Sequence, residues 1–299
     1  MEQLKQLLTA AGIAYKENEP LAAHSTFKIG GPARLFVQPV DHAQLCRTVA
    51  LCKAQSARYY LLGNGSNILF ADEGYNGVVL NISSMQDTVE VHGTQLTAGA
   101  GVRLSALCKT ALEHGLTGLE FAYGIPGTVG GAVYMNAGAY GSELKDVLES
   151  VTFLDSDLQL RTLPAADLAM GYRTSIFEQN PDWCILSATV VLHRGDGAAV
   201  LARMQELLGK RREKQPLEWP SAGSTFKRPQ GAFAGKLIED CGLRGFTVGG
   251  AQISEKHCGF VINRGGATCA DVVALTEQVR QIVEARTGFV LEREIRVVK

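Results

Sequence analysis

Residues 124–141 read GIPGTVGGAVYMNAGAYG, an uncharged run that contains six glycines. A long loop without charge rarely serves as a plain surface connector, and closely spaced glycines let the backbone lie against a ligand. We therefore predict a ligand-binding loop here, with a tightly packed crossover between two lobes as the alternative. The longest uncharged stretch, Phe121–Ser142, is long enough to span a bilayer, but its six glycines, Pro126 and Asn136 argue against a membrane segment.

A second glycine-rich segment, Gly63-Asn64-Gly65-Ser66-Asn67, follows a short apolar strand predicted at Tyr59–Leu62. A buried strand that ends in glycines leaves consecutive backbone N–H groups to bind phosphate oxygens. Asn-Gly is also the commonest two-residue hairpin turn, and the residues alone favour neither interpretation. The spacing matches neither a Rossmann fingerprint nor a P-loop. Two glycine segments in one domain favour an extended, two-part ligand such as a dinucleotide.

The composition is that of an ordinary globular protein. The 299 residues suggest two domains, and 46% hydrophobic with 20% charged residues exclude wholesale disorder. A formal net charge of -1 argues against a nucleic-acid partner. The seven cysteines include no C-x-x-C pair and are expected to be reduced thiols. The N-terminus lacks the apolar region of a signal peptide, so we expect a cytoplasmic protein without a membrane segment.

Short strands dominate the sequence up to about His193, and helices dominate after Arg194–Gly197, where we place the domain boundary. The longest C-terminal helix is expected to begin at a capping box formed by Thr268 and Asp271 and to end at Gly288. A terminal strand is predicted over residues 289–298.

Two polar segments are candidates for chemistry. Arg173 follows Tyr172 and precedes two hydroxyl residues, so its guanidinium could hold a carboxylate, although a surface ion pair is the commoner role. Ser224 lies between Pro220 and Pro229 and could donate a proton, although a turn residue is the commoner interpretation. The local sequence therefore leaves both assignments open.

The predicted terminal strand carries a charged face. Period-two alternation places Glu292, Glu294 and Arg296 on one side. A solvated face is the default interpretation, and a carboxylate whose pKa is tuned by a neighbouring arginine is the alternative. The six histidines show no metal-ligand spacing, so no metal site is expected.

Taken in order along the chain, these segments resemble the UDP-N-acetylenolpyruvoylglucosamine reductase family. The resemblance extends from about Thr26 to the C-terminus. It also includes Ser25–Ala33, the AGKLIE segment at 234–239 and the GGAQ segment at 249–252. Members of this family are flavoenzymes that complete UDP-N-acetylmuramate for peptidoglycan.

The resemblance implies an α+β fold. A two-lobed FAD-binding domain of the vanillyl-alcohol-oxidase (PCMH) type would occupy residues 1–196, with lobes at about 1–56 and 57–196. A smaller α/β substrate-binding domain would occupy residues 197–299. The implied activity is reduction of the enolpyruvyl group of UDP-N-acetylglucosamine enolpyruvate, with FAD as cofactor and NADPH as co-substrate.

The resemblance also implies roles for individual residues. The catalytic residues would be Arg173, Ser224 and Glu294, and the substrate would contact Tyr172, Lys214 and Arg228. FAD would be held by Gly63, Asn64, Gly65, Ser66, Asn67, Ile125, Pro126, Gly127, Thr128, Gly130 and Gly131. The expected assembly is a monomer.

The sequence departs from longer family members in one place. Those members carry an insertion after the segment of Ser224, together with a tyrosine loop that closes over the nucleotide. Here only residues 230–233 separate Pro229 from Ala234, as in a short form of the family. Two alternatives to the reductase are another FAD-dependent oxidase or dehydrogenase acting on an alcohol or sugar, and a non-catalytic nucleotide-binding module.

Overall fold

The computed structural model describes residues 1–85 and 88–299, which form two compact units. Unit 1 comprises Met1–Lys16, Phe36–Asn64 and Gly77–Arg211. Unit 2 comprises Glu17–Leu35, Gly65–Asn76 and Arg212–Lys299. No helix within the described ranges is both long and apolar enough to cross a membrane.

The described residues form helices and strands with the following bounds. The helices are α1 (Glu2–Ala10), α2 (His42–Ala54), α3 (Leu104–Glu113), α4 (Val129–Met135), α5 (Ile176–Gln179), α6 (Gly197–Lys214), α7 (Ala234–Asp240) and α8 (Cys269–Thr287). The strands are β1 (Tyr15–Pro20), β2 (Pro32–Val37), β3 (Tyr59–Leu62), β4 (Ile68–Phe70), β5 (Tyr75–Asn81), β6 (Val89–His92), β7 (Gln95–Gly99), β8 (Leu116–Thr117), β9 (Gly138–Ala139), β10 (Ser142–Glu143), β11 (Leu148–Leu154), β12 (Leu160–Pro164), β13 (Cys184–Val191), β14 (His193–Arg194), β15 (Ser221–Ser224), β16 (Thr247–Val248), β17 (Ala251–Ile253), β18 (Phe260–Asn263) and β19 (Arg296–Val298).

Unit 1 contains an antiparallel sheet with the strand order β12-β11-β13-β7-β6. Phe153 of β11 belongs to an aromatic cluster, in which its ring stacks on Trp183 at 4.6 Å and meets the ring of Phe177 edge-on at 5.2 Å. Strands β3 and β5 pair in parallel in a separate sheet, with Tyr59 opposite Val78. Gly63 and Asn64 directly follow β3.

The uncharged run at 124–141 is not a single loop. Thr128 begins α4 by accepting a hydrogen bond from the N–H of Gly131, and Asn136 ends the helix in the left-handed conformation with φ +42°. The part before Thr128 is a loop at its expected position, whereas Val129–Met135 form a helix. The expectation of one continuous loop was wrong because a threonine cap and a short apolar segment suffice for two helical turns.

Unit 2 combines an antiparallel sheet, in the order β15-β18-β17-β16, with helix α8. Val272, Leu275 and Val279 on α8 are fully buried against this sheet in the core of the unit. A separate parallel pair joins β4 to β19, with Ile68 opposite Arg296. This pair fixes the end of the chain to the residues that follow the first glycine segment.

The compact units divide the chain differently from the expected division after residue 196. Helix α6 lies in unit 1 as far as Arg211, whereas residues 17–35 and 65–76 lie in unit 2. The pairing of β4 with β19 joins residues 65–76 to the C-terminal segment, and hydrogen bonds from Thr26 to Ser221 and from Asn263 to Phe27 join residues 17–35 to it. The terminal strand is also shorter than expected, since β19 begins only at Arg296 and Arg293 makes an isolated bridge to Phe226.

The capping box of α8 provides a test of stability against pH. Hydrogen bonds from the backbone N–H groups of Thr268 and Gly250 hold the pKa of Asp271 below its ordinary value. A lowered pKa in the folded state stabilises the protein above the unfolded value of about 3.9, and this stabilisation is lost as the pH falls through the folded value. We expect Asp271→Ala to lower the free energy of unfolding by about 1 kcal/mol at about pH 6, and by less at about pH 3.

Urea unfolding at the two pH values measures this difference. The exposed Asp167 is the matched control, and Asp167→Ala should change the free energy of unfolding little at either pH. An Asp271→Ala deficit that stays constant down to about pH 3 would contradict a contribution from the ionised carboxylate.

Candidate active site

The two glycine segments meet within unit 1. The side-chain amide of Asn64 donates to the carbonyl of Pro126 at 2.7 Å. Gly63 lies so close to Thr128 that an added Cβ would stand 2.6 Å from the threonine Oγ1. This close approach explains why glycine occupies position 63. The hairpin alternative for this segment is wrong, because β3 pairs with β5 while β4 pairs with β19.

The first turn of α4 is held by internal hydrogen bonds. The N–H groups of Val129 and Gly130 donate to the carbonyls of Val102 and Ala100 at 2.8 and 2.9 Å. Gly130 also packs closely on Ala100, since a Cβ added at Gly130 would stand 2.9 Å from the Cβ of Ala100. These two N–H groups are therefore occupied, and Gly130 is buried, so neither N–H is available to a ligand.

The remainder of the first glycine segment lies in unit 2. Gly65 has φ +62°, and an added Cβ would stand 2.3 Å from the carbonyl oxygen of His24. The N–H of Thr26 donates to the carbonyl of Gly65 at 3.2 Å, which holds the turn. No described residue accepts a hydrogen bond from the N–H of Gly65 or Ser66. Such donors are the groups that a phosphate requires.

Ser224 and Glu294 come together in unit 2. Ser224 is exposed at the end of β15, where the strand departs from regular register and Gly223 has φ +77°. Thr225 follows Ser224, and its carbonyl accepts the N–H of Glu294 at 2.8 Å. The serine is thus a strand residue, and its interpretation as a turn residue was wrong. A bulged strand gave no sequence signal because the small residues and the flanking prolines are typical of turns.

Arg173 lies in unit 1 in a strained conformation. Its φ is +57°, its Nη2 donates to the carbonyl of Gly138 at 2.9 Å, and its guanidinium lies 5.0 Å from the ring centroid of the exposed Tyr172. A non-glycine residue held at positive φ is uncommon and often marks a functional position. One face of the segment therefore presents an oriented guanidinium beside a phenol.

Two basic residues proposed to contact substrate lie in unit 2. Lys214 is the last residue of α6 and is exposed. Burial lowers the pKa of His257, and the nearby charges of Arg244 and Lys214 act in the same direction. The guanidinium of Arg228 lies 4.5 Å from the ring centroid of Phe233, which is 62% exposed. The short connection before α7 thus supplies an aromatic ring beside a cation.

Two further residues were not predicted as parts of the site. Asn136 is fully buried, and its amide donates to the carbonyl of Gly171 at 2.8 Å, so it ties α4 to the segment of Arg173. Burial lowers the pKa of Arg211, whose side chain packs against Gly124. An asparagine after a short apolar segment was a signal that could have identified Asn136. Arg211 was not identified because a basic run at the end of a helix resembles an exposed surface.

The predicted site residues are thus grouped by unit. Unit 2 brings Ser224, Glu294 and Asn67 together, and unit 1 joins Asn64 to the loop at 125–127 and holds Arg173 near Gly138. The meeting of Arg173 with Ser224 and Glu294 stays a prediction.

Two family models match the chain. A model described as "FAD binding domain" matches residues 33–163, and one described as the C-terminal domain of UDP-N-acetylenolpyruvoylglucosamine reductase matches residues 215–298. The expected combination of an FAD-binding domain of the vanillyl-alcohol-oxidase type with a smaller C-terminal domain is confirmed, as is the mixture of helices and strands. In the C-terminal sheet the strands pair antiparallel.

Known proteins agree with this combination over the whole chain. The chain is 45% identical over 298 residues to the UDP-N-acetylenolpyruvoylglucosamine reductase of Caldanaerobacter subterraneus subsp. tengcongensis, covering 100% of this chain and 97% of the relative. It is 46% identical to that of Clostridium novyi, covering 95% and 92%.

Solved structures lead to the same family. The crystal structure of UDP-N-acetylenolpyruvylglucosamine reductase from Thermus caldophilus matches with a TM-score of 0.80 and 34% identity, covering 96% of this chain and 99% of that one. Physcomitrella patens BBE-like 1 matches with a TM-score of 0.50 over 64% of this chain and 44% of its own. At 19% identity this second likeness shows the fold alone. With relatives above 40% identity along its full length, the chain belongs to the UDP-N-acetylenolpyruvoylglucosamine reductase family.

Proposed function

We propose that the chain uses NADPH to reduce the enolpyruvyl group of UDP-N-acetylglucosamine enolpyruvate to UDP-N-acetylmuramate, a step of peptidoglycan precursor synthesis. The observation that carries this proposal is the 45% identity over 298 residues with a reductase of that name. The reaction saturates a carbon–carbon double bond next to a carboxylate. It therefore requires a two-electron donor, a proton donor and a group that stabilises developing negative charge.

FAD is the cofactor, and the residues present suit it. Gly63–Asn67 and Ile125–Gly131 would hold it. The glycines at 63, 65 and 130 let these segments pack closely on their own neighbours, since an added Cβ would collide with protein atoms at each position. The N–H groups of Gly65 and Ser66 have no acceptor among the described residues and would donate to phosphate oxygens. When bound, FAD supplies the two-electron transfer from NADPH to the double bond. The protein supplies position and electrostatics.

The catalytic roles fall to Arg173, Ser224 and Glu294. After a hydride adds to the terminal vinyl carbon, negative charge spreads onto the carboxylate of the substrate, and the guanidinium of Arg173 would stabilise that charge. The hydroxyl of Ser224 would donate the proton to the carbon beside the carboxylate. Glu294 would set the polarity of Arg173. The exposure of Ser224 at the end of β15 supports its role, because a proton donor must be reachable.

Substrate contacts are proposed for Tyr172, Lys214 and Arg228. The two cations suit the diphosphate of a UDP-sugar, whose oxygens accept charge-assisted hydrogen bonds. The exposed ring of Phe233 beside Arg228 offers an apolar surface close to one of these cations.

We also propose that residues 1–196 bind FAD and that residues 197–299 bind the substrate. The protein would act as a monomer in the cytoplasm without a nucleic-acid partner. Six of the seven cysteines are buried and all seven are free thiols, as suits a reducing compartment.

A spectrum and two assays test the function. Purified protein should be yellow and should lose its flavin absorbance when NADPH is added without oxygen. The colour should return when the enolpyruvyl nucleotide is added, whereas a panel of alcohols and sugars should produce no oxygen uptake. Colourless protein that does not take up FAD would end the proposal, and oxygen uptake with an alcohol would replace it by an oxidase.

A further inference from the structure

The side chain of Asn67 binds the main chain of Glu294. The side-chain Nδ2 of Asn67 donates to the main-chain carbonyl of Glu294 at 3.2 Å. The main-chain carbonyl of Asn67 accepts the N–H of Arg296 at 3.0 Å. Asn67 directly precedes β4, and Arg296 is the first residue of β19. The glycine segment and the terminal residues are therefore joined by two hydrogen bonds at this one asparagine.

Thr225 binds the other side of the Glu294 peptide. Its carbonyl accepts the N–H of Glu294 at 2.8 Å. Thr225 is itself fixed, since it is 1% exposed, donates its N–H to Gly259 at 2.8 Å and accepts the N–H of Val261 at its Oγ1 at 2.8 Å. Both backbone polar groups of Glu294 are thus held by residues of the same unit.

The asparagine supplies a contact that the sheet does not. The parallel register begins with Ile68 opposite Arg296, so Glu294 lies outside the β4–β19 ladder. Glu294 precedes Arg296 by two residues, and the side-chain amide of Asn67 donates to its carbonyl. This side-chain contact continues the hydrogen bonding past the end of the ladder. A carboxylate on a backbone fixed at both groups keeps its position better than one on a free terminal segment.

We infer that Asn67 is a positioning residue for the carboxylate of Glu294. The inference rests on the proposed function, which gives Glu294 its role. It assigns to the side chain of Asn67 a task separate from FAD binding, for which we propose the backbone N–H groups of the segment. A displacement of about 1 Å in a catalytic group can cost about 10²-fold in rate, so a lost positioning contact is measurable.

Asn67→Asp tests the inference, because it replaces the amide donor by a carboxylate oxygen that faces the carbonyl of Glu294. We expect the rate of flavin reoxidation by the enolpyruvyl nucleotide to fall roughly 10- to 100-fold. FAD content and the rate of reduction by NADPH should be unchanged, and kcat should fall while KM for the nucleotide changes little. Asn67→Ala removes the donor without adding charge and should act in the same direction.

A matched control and a double variant complete the test. Asn180 is also half-buried and donates its Nδ2 to a main-chain carbonyl, that of Ile176, so Asn180→Asp should keep full activity. In a Glu294→Gln background, Asn67→Asp should add little, because both changes act on one carboxylate.

Three outcomes would overturn the inference. If the losses in reoxidation rate caused by Asn67→Asp and Glu294→Gln multiplied in the double variant, Asn67 would not act through the carboxylate of Glu294. Loss of FAD from both Asn67 variants would assign the side chain to the cofactor. Full activity in Glu294→Gln would remove the role of Glu294 itself, and so the proposed function of that residue would fail together with the inference.

Discussion

Ser224→Ala is expected to bind FAD and to be reduced by NADPH at the normal rate, while reoxidation by the enolpyruvyl nucleotide falls at least ~10²-fold, equivalent to about 3 kcal/mol. Alanine removes the hydroxyl proton and keeps the strand. Ser224 is exposed at the end of β15, so the substitution leaves no buried polar group unsatisfied. Separate stopped-flow measurements of reduction and reoxidation give the two rates.

Ser221 provides the control for this experiment. It lies on the same strand, and its main-chain carbonyl accepts the hydroxyl of Thr26, a contact that Ser221→Ala retains. Both half-reactions should be normal in that variant. If Ser224→Ala slowed reduction by NADPH as much as reoxidation in a folded protein, the serine would not be the proton donor.

Arg173→Lys is expected to lose about 10²- to 10³-fold in the rate of substrate reduction, as when a single donor to developing negative charge is removed. The Nη2 of Arg173 donates a hydrogen bond to the carbonyl of Gly138. A guanidinium is planar and can bind a carboxylate through two parallel hydrogen bonds. A lysine ammonium is a point charge and cannot reproduce that arrangement. Because both residues have a Cβ, the cost of φ +57° is the same in each and does not enter the comparison.

The control for Arg173→Lys is the same substitution at an exposed position. Arg161 forms an ion pair with Asp155 at 2.8 Å on the surface, and Arg161→Lys should leave the activity unchanged. Steady-state assays at saturating NADPH provide the comparison. Full activity in Arg173→Lys would exclude the bidentate role of Arg173.

Local signals predicted much of the fold. The strand at Tyr59–Leu62 has the predicted bounds, and α8 begins at the predicted capping box and ends at Gly288. These features depend on contacts between residues close in sequence, such as Thr268 with Asp271, whose hydrogen bonds require only a helical turn. The family, the cofactor and the activity followed from the order of several short segments.

Features that depend on distant contacts were not predicted. Alternation alone cannot show that the register of β19 starts at Arg296, because its partner β4 lies far away in sequence. The compact units have other bounds than the expected division after residue 196 for the same reason, since composition contains no information on which segments pair. Arg211 was missed because only packing against Gly124 distinguishes it from its exposed neighbours in the basic run.

The pairing of β4 with β19 has a consequence for biosynthesis. A ribosome makes β4 early and β19 much later, so unit 2 acquires its last strand only when nearly all of this sequence has been translated. The last residue of unit 1 is Arg211, so all residues of unit 1 are made before β19. Meanwhile Phe27, Ile29 and Leu69, which are buried in the finished core of unit 2, lack their C-terminal neighbours. During elongation these side chains are the natural targets for a chaperone that binds exposed apolar surface.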